Sequence, residues 1–376
     1  MIYKPFKELQ LSALGLGCMR LPKRSDNDAD IDEAAVEKMV AYALEHGINY
    51  FDTAWAYHEG QSELVMGRVL KNHPRDSFYI ATKFPGFDKK LFETKEDVFN
   101  RQLEKLQVEY FDFYMCHNVT ERNVDDYLSE EYNLMPYLLE QKKAGKIRHL
   151  GFSAHGNLHT LRRFLEAWGH ELEFCQIQLN WLDWEFQDAK TKVELLKEFN
   201  IPVWVMEPVR GGKLVNLGDD IMEKLNAVRP GVGAPEWAFR FLQSIPEVTM
   251  VLSGMSNDEQ LADNIRTFET EQPLNETEWN AVLDVAKEMI TRNKVPCTAC
   301  RYCTEKCPQG LNIPLLLEVY SDPLRPAGAK IPTASIAWME ESQRPTACIG
   351  CRSCEAVCPQ NILISEVLAD FADRLV

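Results

Sequence analysis

Eight cysteines near the C-terminus have the spacing of iron–sulfur cluster ligands. They form two runs with one pattern, C-x2-C-x2-C-x3-C-P, whose members are Cys297, Cys300, Cys303 and Cys307 and then Cys348, Cys351, Cys354 and Cys358. In this pattern the first three cysteines of a run bind one cluster and the fourth binds the other. The spacing therefore predicts two 4Fe-4S clusters, the first completed by Cys358 and the second by Cys307.

Zinc sites and disulfides also use regularly spaced cysteines. A structural zinc would require two C-x2-C pairs, whereas each run here has four cysteines and ends in Cys-Pro. The first residues, MIYKPFKELQ, lack a basic segment followed by an apolar one, and no apolar stretch approaches the roughly 18 residues of a membrane span. These features disfavour a disulfide framework and predict a protein of the reducing cytoplasm.

The length and charge of the chain restrict its class. Its 376 residues suit one large domain and one small domain. With 57 acidic and 41 basic residues, the formal net charge of −16 disfavours nonspecific binding to nucleic acid, which requires a basic surface. An acidic surface suits a basic redox partner, and it is equally typical of ordinary soluble proteins.

Short β-branched or aromatic runs alternate with amphipathic helical segments along residues 1–285. Eight runs have strand character, and they cover residues 13–18, 48–54, 78–84, 110–117, 147–154, 173–180, 201–207 and 248–254. Eight βα units in this length predict an α/β fold, a TIM barrel rather than an open doubly wound sheet. Residues 6–12 precede the first strand, and we expect them to form a hairpin that closes the bottom of the barrel.

Two segments illustrate the barrel helices. Residues 32–47 end in a glycine suited to a helix C-cap, and residues 62–71 begin with Ser62, a residue type favoured at the N-cap. A further helical segment, residues 279–292, is expected to lead out of the barrel.

The second domain is predicted to comprise residues 286–376. The spacer between its cysteine runs includes residues 311–322 and 333–344, both of helical character, and shows no pair of β-hairpins. The domain thus looks like the all-helical ferredoxin module of fumarate-reductase and heterodisulfide-reductase iron–sulfur subunits, rather than the compact βαβ ferredoxin. We expect a small, mainly α-helical ferredoxin-like domain.

A TIM barrel carries its catalytic residues at the carboxyl ends of its strands. Four residues of catalytic type lie at or just beyond the ends of the second, third and fourth predicted strands: Asp52, Tyr57, Lys83 and His117. Each alone is more often a solvated or hydrogen-bonded side chain than a catalyst. Their occurrence at consecutive strand ends predicts a single site.

The motifs at these strand ends resemble those of the aldo-keto reductase family. The matching segments occur in the family's order within residues 1–285 and are GLGCMRLP (15–22), FDTAWAYHEGQSELVMGRVL (51–70), ATKF (81–84), MCHN (115–118), GFSAH (151–155) and QIQLNW (176–181). The resemblance implies NAD(P)H-dependent reduction of a small carbonyl compound, or oxidation of an alcohol. It also implies a catalytic tetrad of Asp52, Tyr57, Lys83 and His117.

Elementary acid–base chemistry supports that tetrad. A phenol with a pKa near ~10 is a poor proton donor at neutral pH. An ammonium at Lys83 favours the phenolate of Tyr57, and Asp52 would keep Lys83 charged and oriented. Tyr57 would then protonate the carbonyl oxygen while His117 donates a hydrogen bond that positions that oxygen. The hydride must come from a cofactor, because no side chain supplies one.

Gly15 and Gly17 resemble the start of a dinucleotide fingerprint, but position 20 is Arg and no Rossmann unit follows. The resemblance instead implies nicotinamide binding at the barrel mouth, with phosphates held by the loops after strands seven and eight. Ser153 and Gln178 would hold the nicotinamide amide. The other implied cofactor contacts are Met19, Arg20, Met206, Glu207, Pro208, Gly211, Ser256, Gln260, Asp263 and Asn264.

Two departures from the family pattern bear on the cofactor. Met206 stands where many members stack an aromatic ring on the nicotinamide, and Met offers no π face. Gly254 and Gln260 stand where members often place Lys and Arg on the 2′-phosphate of NADP. This loop predicts a preference for NADH, although Arg210 or Lys213 is able to reach the phosphate from the neighbouring loop.

The two domains differ in the chemistry they handle. Nicotinamide exchanges hydride, a two-electron unit, whereas each 4Fe-4S cluster passes one electron, so direct exchange normally needs a flavin. Three hypotheses follow. The chain is a carbonyl reductase whose clusters serve a partner or the fold, or an electron-transfer subunit with the barrel as a docking scaffold, or a redox sensor that binds nicotinamide. The complete tetrad favours the first.

Overall fold

The structure, a computed structural model, describes residues 1–292, 295, 297, 302–322, 325, 328–358 and 361–376. The chain divides into two compact units, Met1–Val282 and Leu283–Val376.

A closed barrel of parallel strands forms the first unit. Two antiparallel strands, β1 and β2, precede eight barrel strands, β3 to β10, in the fully described residues 1–282. The strands are β1 Tyr3–Phe6, β2 Leu9–Ser12, β3 Leu14–Gly17, β4 Tyr50–Asp52, β5 Tyr79–Phe84, β6 Phe111–Val119, β7 Ile147–Ala154, β8 Cys175–Gln178, β9 Val203–Met206 and β10 Val248–Ser253. Each barrel strand pairs with the next along the chain, and β10 pairs with β3 to close the ring.

Helices connect the strands and cover the outside of the barrel. They are α1 Glu33–Glu45, α2 Gln61–Leu70, α3 Lys89–Glu93, α4 Lys95–Leu106, α5 Val124–Leu128, α6 Leu134–Lys143, α7 Leu158–Trp168, α8 Asp183–Phe186, α9 Ala189–Glu198, α10 Asp219–Val228, α11 Ala234–Gln243, α12 Asp258–Thr267 and α13 Glu276–Arg292. Short 3₁₀ turns occur at Tyr57–Gly60, Arg75–Ser77 and Arg210–Gly212.

The predicted barrel is confirmed. Every predicted strand overlaps an observed barrel strand, and β6 extends two residues beyond its predicted end. The hairpin predicted at residues 6–12 corresponds to β1 and β2, and it begins earlier, at Tyr3. The discarded dinucleotide fingerprint has a packing explanation, because a Cβ at Gly15 would lie 2.7 Å from Leu252 Cδ2. The N-cap predicted at Ser62 is wrong: the helix starts one residue earlier, and the Ser62 hydroxyl donates to the Cys18 carbonyl instead.

Aromatic side chains fill the amino-terminal end of the barrel. Phe6, from the end of β1, packs among them, and its ring centroid lies 5.0 Å from that of Trp204 and 5.7 Å from that of Phe113. Tyr50 and Phe174 belong to the same buried cluster. The hairpin therefore closes the bottom of the barrel with a hydrophobic plug, and the opposite end, where the strands terminate, is left for polar chemistry.

The second unit is mainly helical among its described residues. Its helices after the barrel are α14 Tyr302–Glu305, α15 Ile313–Tyr320 and α16 Ile364–Arg374, and its described β structure is one isolated bridge between Ile331 and Leu375. The helix expected across residues 333–344 is replaced by 3₁₀ turns at Thr333–Ile336 and Glu341–Gln343.

The small core of this unit is built from aliphatic side chains of α15 and α16 together with buried cysteines. Leu316, Leu317 and Leu368 are almost fully buried in it, with Cys303 and Cys354 at its edge. In the part of the chain that the structure describes, no helix is both long enough and apolar enough to cross a membrane.

Candidate active site

The four residues of the predicted tetrad lie at one end of the barrel. Asp52 ends β4, Lys83 lies near the end of β5, and His117 lies in the last part of β6. Tyr57 begins the 3₁₀ turn that follows β4. Because adjacent parallel strands end at the same face of the barrel, these four side chains come together.

Lys83 is the centre of the group. Its Nζ donates to Asp52 Oδ1 at 2.5 Å, to the Thr53 carbonyl at 2.8 Å and to the Tyr57 hydroxyl oxygen at 3.4 Å. An ammonium has three donors and no acceptor, so all three are used. Since the Tyr57 oxygen accepts from Lys83, its own hydroxyl hydrogen must be directed to a partner other than the lysine.

Both members of the buried ion pair are shifted in pKa. Burial opposes the charge on Lys83, but the Asp52 carboxylate and the Tyr57 oxygen outweigh it and raise the pKa of Lys83 above its usual value. Burial raises the pKa of Asp52, and Lys83 partly offsets that increase. Only 1% of Lys83 and 3% of Asp52 are exposed, so the pair is shielded from solvent and salt. The lysine therefore stays charged at neutral pH.

Tyr57 is held as a neutral phenol. Burial raises its pKa above the usual value, Lys83 lowers it, and Asp52 raises it again. The ammonium acts in the expected direction, but it does not bring the pKa below that of an ordinary tyrosine. Tyr57 therefore carries its proton at neutral pH, which is the form that a proton donor needs.

His117 faces the tyrosine edge-on. The two ring centroids are 6.0 Å apart with an interplanar angle of 81°. Burial lowers the pKa of His117 well below its usual value, and Lys83 lowers it further. The imidazole is thus neutral, with one ring N–H to donate. Its Nδ1 is buried without a hydrogen-bond partner within the described residues.

A buried histidine fixes the turn that carries Tyr57. His58 is 2% exposed, its Nδ1 donates to the Asp28 carbonyl at 2.8 Å, and its Nε2 accepts the Leu21 backbone N–H at 3.1 Å. His58 and Glu59 both have φ near +50°, a region that non-glycine residues seldom adopt. The side chain of His58 therefore compensates for a strained turn and connects it to the loop that follows β3.

A second buried hydrogen-bond network holds the strand that carries Lys83. Glu63 accepts from Thr82 Oγ1 and Gln102 Nε2, each at 2.7 Å, and from Lys105 Nζ at 3.2 Å. Gln102 also donates to the Lys83 carbonyl at 3.0 Å. The backbone that carries Lys83 is therefore fixed by polar groups that are themselves fully hydrogen-bonded.

The residues expected to hold the nicotinamide amide are near the same mouth. Ser153, in β7, is 1% exposed, and its Oγ accepts the Asn118 backbone N–H at 2.8 Å. Gln178 ends β8, and its Nε2 donates to Asp183 Oδ2 at 2.8 Å. Met206 ends β9 and is partly exposed. These three strand ends lie in sequence around the barrel, after β4 to β6.

Arg20 lies between the two predicted phosphate loops. A Cβ at Gly211 would lie 3.2 Å from Arg20 Nη2, and a Cβ at Gly254 would lie 3.1 Å from Arg20 Cδ. A side chain at Gly211 would be strained because φ there is +65°, and a side chain at Gly254 would require the Arg20 side chain to shift slightly. Met19, beside Arg20, is 60% exposed. A cation and two loops with small residues thus occur together, which suits an anionic group such as a pyrophosphate.

The loop after β9 is conformationally unusual. Glu207 and Arg210 have φ near +50°, Gly211 has φ +65°, and Pro208 between them is buried. Burial raises the pKa of Glu207, Asp183 raises it further, and Arg210 and Arg20 partly offset the increase.

The last loop is less open than expected. Asn257 caps α12 by accepting the Gln260 backbone N–H at 2.9 Å, and the Gln260 side chain accepts the Ser256 N–H at 2.8 Å. Asn264 is 8% exposed and donates to Ser253 Oγ at 3.1 Å. Asp263 pairs with Arg266 on the exposed side of α12. Two of the three side chains expected at the adenosine half, those of Gln260 and Asn264, therefore have partners within the loop and helix.

The cysteines of the second unit form no disulfide among the described residues. Cys307, Cys348, Cys351 and Cys354 line one pocket that is partly open to solvent. These are the four ligands predicted for the second cluster. Their number and chemistry fit a 4Fe-4S cluster. No three His, Cys, Asp or Glu side chains converge at metal-ligand distance in the described part of the chain, so the structure gives the donor set without a coordination geometry.

The ligands predicted for the first cluster are only partly described. Cys303 is buried at the edge of the small core, and Cys297 and Cys358 pack against that core. Cys300 lies outside the described residues.

Two features of the site were not anticipated from the sequence. The exposed ring of Phe87 follows β5, and its centroid lies 6.4 Å from that of His117, so it lines the open side of the site. Asp183 is fully buried and receives Gln178 and Asn180. Two sequence signals could have indicated these features. One is an aromatic residue just beyond a strand end, and the other is the Asn-x-x-Asp pattern just after Gln178.

Comparison with known proteins identifies both units. Residues 13–287 match the model of the aldo/keto reductase family, and residues 296–363 match that of a 4Fe-4S dicluster domain. Probable aldo-keto reductase 1 of Glycine max is 31% identical over 213 residues, which cover 54% of this chain and 57% of that protein. NADH-specific methylglyoxal reductase of Escherichia coli (strain K12) is 27% identical over 228 residues, or 55% of this chain and 66% of that protein.

A solved structure gives the same fold. Aldo-keto reductase AKR11C1 from Bacillus halodurans in its holo form superposes with a TM-score of 0.62 at 25% identity, covering 76% of this chain and 96% of that chain. The family match spans well over half of the sequence, includes every strand of the closed barrel and contains all four clustered polar residues. The chain therefore belongs to the aldo/keto reductase family, and its C-terminal region is a 4Fe-4S dicluster domain.

Proposed function

We propose that the barrel reduces a small aldehyde or ketone to an alcohol with NADH or NADPH, through Asp52, Tyr57, Lys83 and His117. The observation that carries this proposal is the position of Lys83 Nζ, which contacts both Asp52 Oδ1 and the Tyr57 hydroxyl oxygen. Reduced nicotinamide, when bound, would supply the hydride. The glycines beside Arg20 and the polar residues Ser153 and Gln178 fit such a cofactor at the barrel mouth.

In this mechanism Tyr57 is the proton donor. As the carbonyl carbon receives hydride, its oxygen takes the hydroxyl proton of Tyr57, and the product is an alcohol. The tyrosinate that remains is stabilised by the ammonium of Lys83, and solvent restores its proton in the next cycle. His117, being neutral, donates a ring N–H to the carbonyl oxygen and orients it without competing for the proton.

Replacing Tyr57 with phenylalanine tests the mechanism. The variant keeps the ring and loses the hydroxyl that is proposed to give up its proton, so kcat for carbonyl reduction should fall by about 100-fold or more. NADH binding, followed by nicotinamide fluorescence, should be unchanged. Methylglyoxal is a suitable first substrate because one of the relatives is named for it. Carbonyl reduction at the wild-type rate would refute the role of Tyr57.

We also propose that NADH is preferred to NADPH. Gly254 and Gln260 provide no cation on the last loop, and the Gln260 side chain is used to accept the Ser256 N–H. The Escherichia coli relative is named as NADH-specific, which also supports a preference for NADH. The test is the ratio of kcat/KM for NADH to kcat/KM for NADPH, which should be well above one. A comparable kcat/KM for NADPH would count against the preference and would indicate that Arg20, Arg210 or Lys213 receives the 2′-phosphate.

A further inference from the structure

A buried carboxylate organises the mouth of the barrel beside β8. Asp183 is the first residue of α8 and is 0% exposed. Its Oδ2 accepts from Gln178 Nε2 at 2.8 Å and from Asn180 Nδ2 at 2.7 Å. Its Oδ1 lies 3.2 Å from Arg210 Nε. One carboxylate therefore accepts hydrogen bonds from two amides at the end of β8 and just after it, and it forms an ion pair with an arginine of the loop after β9.

The orientation of Asn180 is fixed by backbone groups. Its Oδ1 accepts the N–H groups of Leu182 and Asp183 at 3.1 and 2.9 Å. Because backbone N–H groups only donate, the amide oxygen must lie on that side and the NH₂ group must face the other. That NH₂ donates to Asp183 and to the Glu207 carbonyl at 3.1 Å.

The orientation of Gln178 follows from the same argument. An ionised carboxylate only accepts, so Gln178 must turn its NH₂ group toward Asp183 and its oxygen in the opposite direction. Burial lowers the pKa of the neighbouring His155, and its contact with the Gln178 side chain partly offsets that decrease.

We propose that Asp183 is a positioning residue that makes Gln178 present an amide oxygen, so that the site recognises a nicotinamide carboxamide by its NH₂ group. The inference rests on the proposed function, because it assumes that Gln178 meets the nicotinamide. Through Arg210 and through Asn180, which holds the left-handed Glu207, the same carboxylate also fixes the loop after β9. Asp183 therefore affects both the recognition of the carboxamide and the conformation of that loop.

A coenzyme analogue isolates this contact. In 3-acetylpyridine adenine dinucleotide a methyl group replaces the carboxamide NH₂, while the carbonyl oxygen is kept. The analogue thus preserves any hydrogen bond from the Ser153 hydroxyl and loses only the donor that Gln178 would accept. Calorimetric Kd values for NAD and for the analogue, measured on the whole protein, give a ratio that a general loss of stability does not change.

The wild-type protein should bind NAD about tenfold more tightly than the analogue, the effect of one hydrogen bond in a partly buried site. In Asp183→Ala the amide of Gln178 is released from its single orientation, and the ratio should fall toward one. Asp183→Asn keeps the volume and carries the same test if the alanine variant does not fold. Gln178→Met should also bring the ratio to one. Glu185→Ala removes an exposed carboxylate from the same helix and should leave the ratio unchanged.

Three results would overturn the inference. A wild-type ratio near one would show that the carboxamide NH₂ is not recognised. A tenfold ratio that persists in a folded Asp183 variant would show that another group orients Gln178. A tenfold ratio that persists in Gln178→Met would show that Gln178 is not the acceptor. Failure of the wild-type protein to bind NAD at all would refute the proposed function instead, so the two failures are distinguishable.

Discussion

At the scale of single residues, the proposed mechanism requires a lysine that stays charged although it is buried. Lys83 contacts Asp52, Thr53 and Tyr57, and only 1% of its surface is exposed. Desolvation alone would favour the neutral amine. The carboxylate of Asp52 is the largest of the effects that reverse this preference.

Replacing Asp52 with asparagine should therefore lower the pKa of Lys83, because burial is then opposed only by Tyr57. The neutral amine no longer stabilises the tyrosinate, and we expect kcat to fall by about 100-fold. The loss should deepen as pH rises, so the alkaline limb of the kcat profile should move to lower pH than in the wild-type protein. The check is kcat measured from pH 6 to 10.

Asp76→Asn, an exposed substitution before β5, is the matched control and should leave the profile in place. An Asp52→Asn profile that overlies that of the wild-type protein would mean that Lys83 stays protonated without its carboxylate.

At the scale of elements, the site depends on close packing of α2 against α4. A Cβ at Gly67 would lie 2.2 Å from the Lys105 carbonyl oxygen and 2.9 Å from Leu106 backbone atoms. These helices also carry Glu63 and Gln102, whose hydrogen bonds hold the backbone of β5. A movement of α2 relative to α4 would therefore disturb the hydrogen bonds that hold the backbone of Lys83.

Gly67→Ala should lower the free energy of unfolding of the barrel by about 3 kcal/mol, since a backbone atom must move to admit the methyl group. Urea unfolding followed by tryptophan fluorescence measures the change. Gly233→Ala is the control, because its Cβ would meet only Pro235 at 3.8 Å. Equal stability of the two variants would contradict the packing argument.

Another element-scale interaction joins β7, α6 and the β1–β2 turn. Glu173 accepts from His149 Nδ1 at 2.6 Å, pairs with Lys7 at 2.8 Å and also receives Lys142. Burial raises the pKa of Glu173, but the hydrogen bonds from His149, Lys142 and Lys7 outweigh burial and lower that pKa to about 2.

A depressed carboxyl pKa stabilises the folded state above the unfolded-state value, 4.5, and that contribution is lost as pH falls toward 2. The stability difference between wild-type protein and Glu173→Gln should therefore be constant near neutral pH and shrink below pH 5. Urea midpoints at pH 7 and pH 4 test this. A difference that grows on acidification would refute it, and Glu166→Gln, an exposed change on α7, should show no pH-dependent difference.

At the scale of the whole molecule, one chain combines an aldo/keto reductase barrel with a 4Fe-4S dicluster domain. Cys351 is exposed in the second unit, so its replacement should disturb the fold very little unless it binds a cluster. We expect Cys351→Ser to reduce the iron content from about eight to about four atoms per chain, because one of two clusters loses a ligand. Glu341→Ala, also exposed, should retain all of the iron. Unchanged iron in Cys351→Ser would exclude Cys351 as a ligand.

An anaerobic titration relates the two units. Hydride carries two electrons and each cluster accepts one, so we expect NADH to bind without bleaching the cluster absorbance, while dithionite bleaches it. Cluster absorbance and EPR signals are followed together with the nicotinamide absorbance. Reduction of the clusters by NADH alone would mean that an internal electron path exists and would favour the hypothesis of an electron-transfer device.

Much of this protein is determined by local sequence. The order and number of barrel strands follow from short apolar runs, and the dicluster domain follows from cysteine spacing, because each signal lies within a short stretch of sequence. The positions of Asp52, Lys83 and His117 at strand ends follow from the same pattern.

Burial and long-range contacts required the tertiary structure. The pKa of Tyr57 lies above its usual value because desolvation exceeds the effect of Lys83, a balance that no sequence pattern contains. Ser62 bonds to Cys18 rather than capping α2, because the strand end lies against the helix. The contact of Asp183 with Gln178 and Arg210 depends on neighbouring strand ends that only the closed barrel brings together, because the barrel fixes where each loop begins.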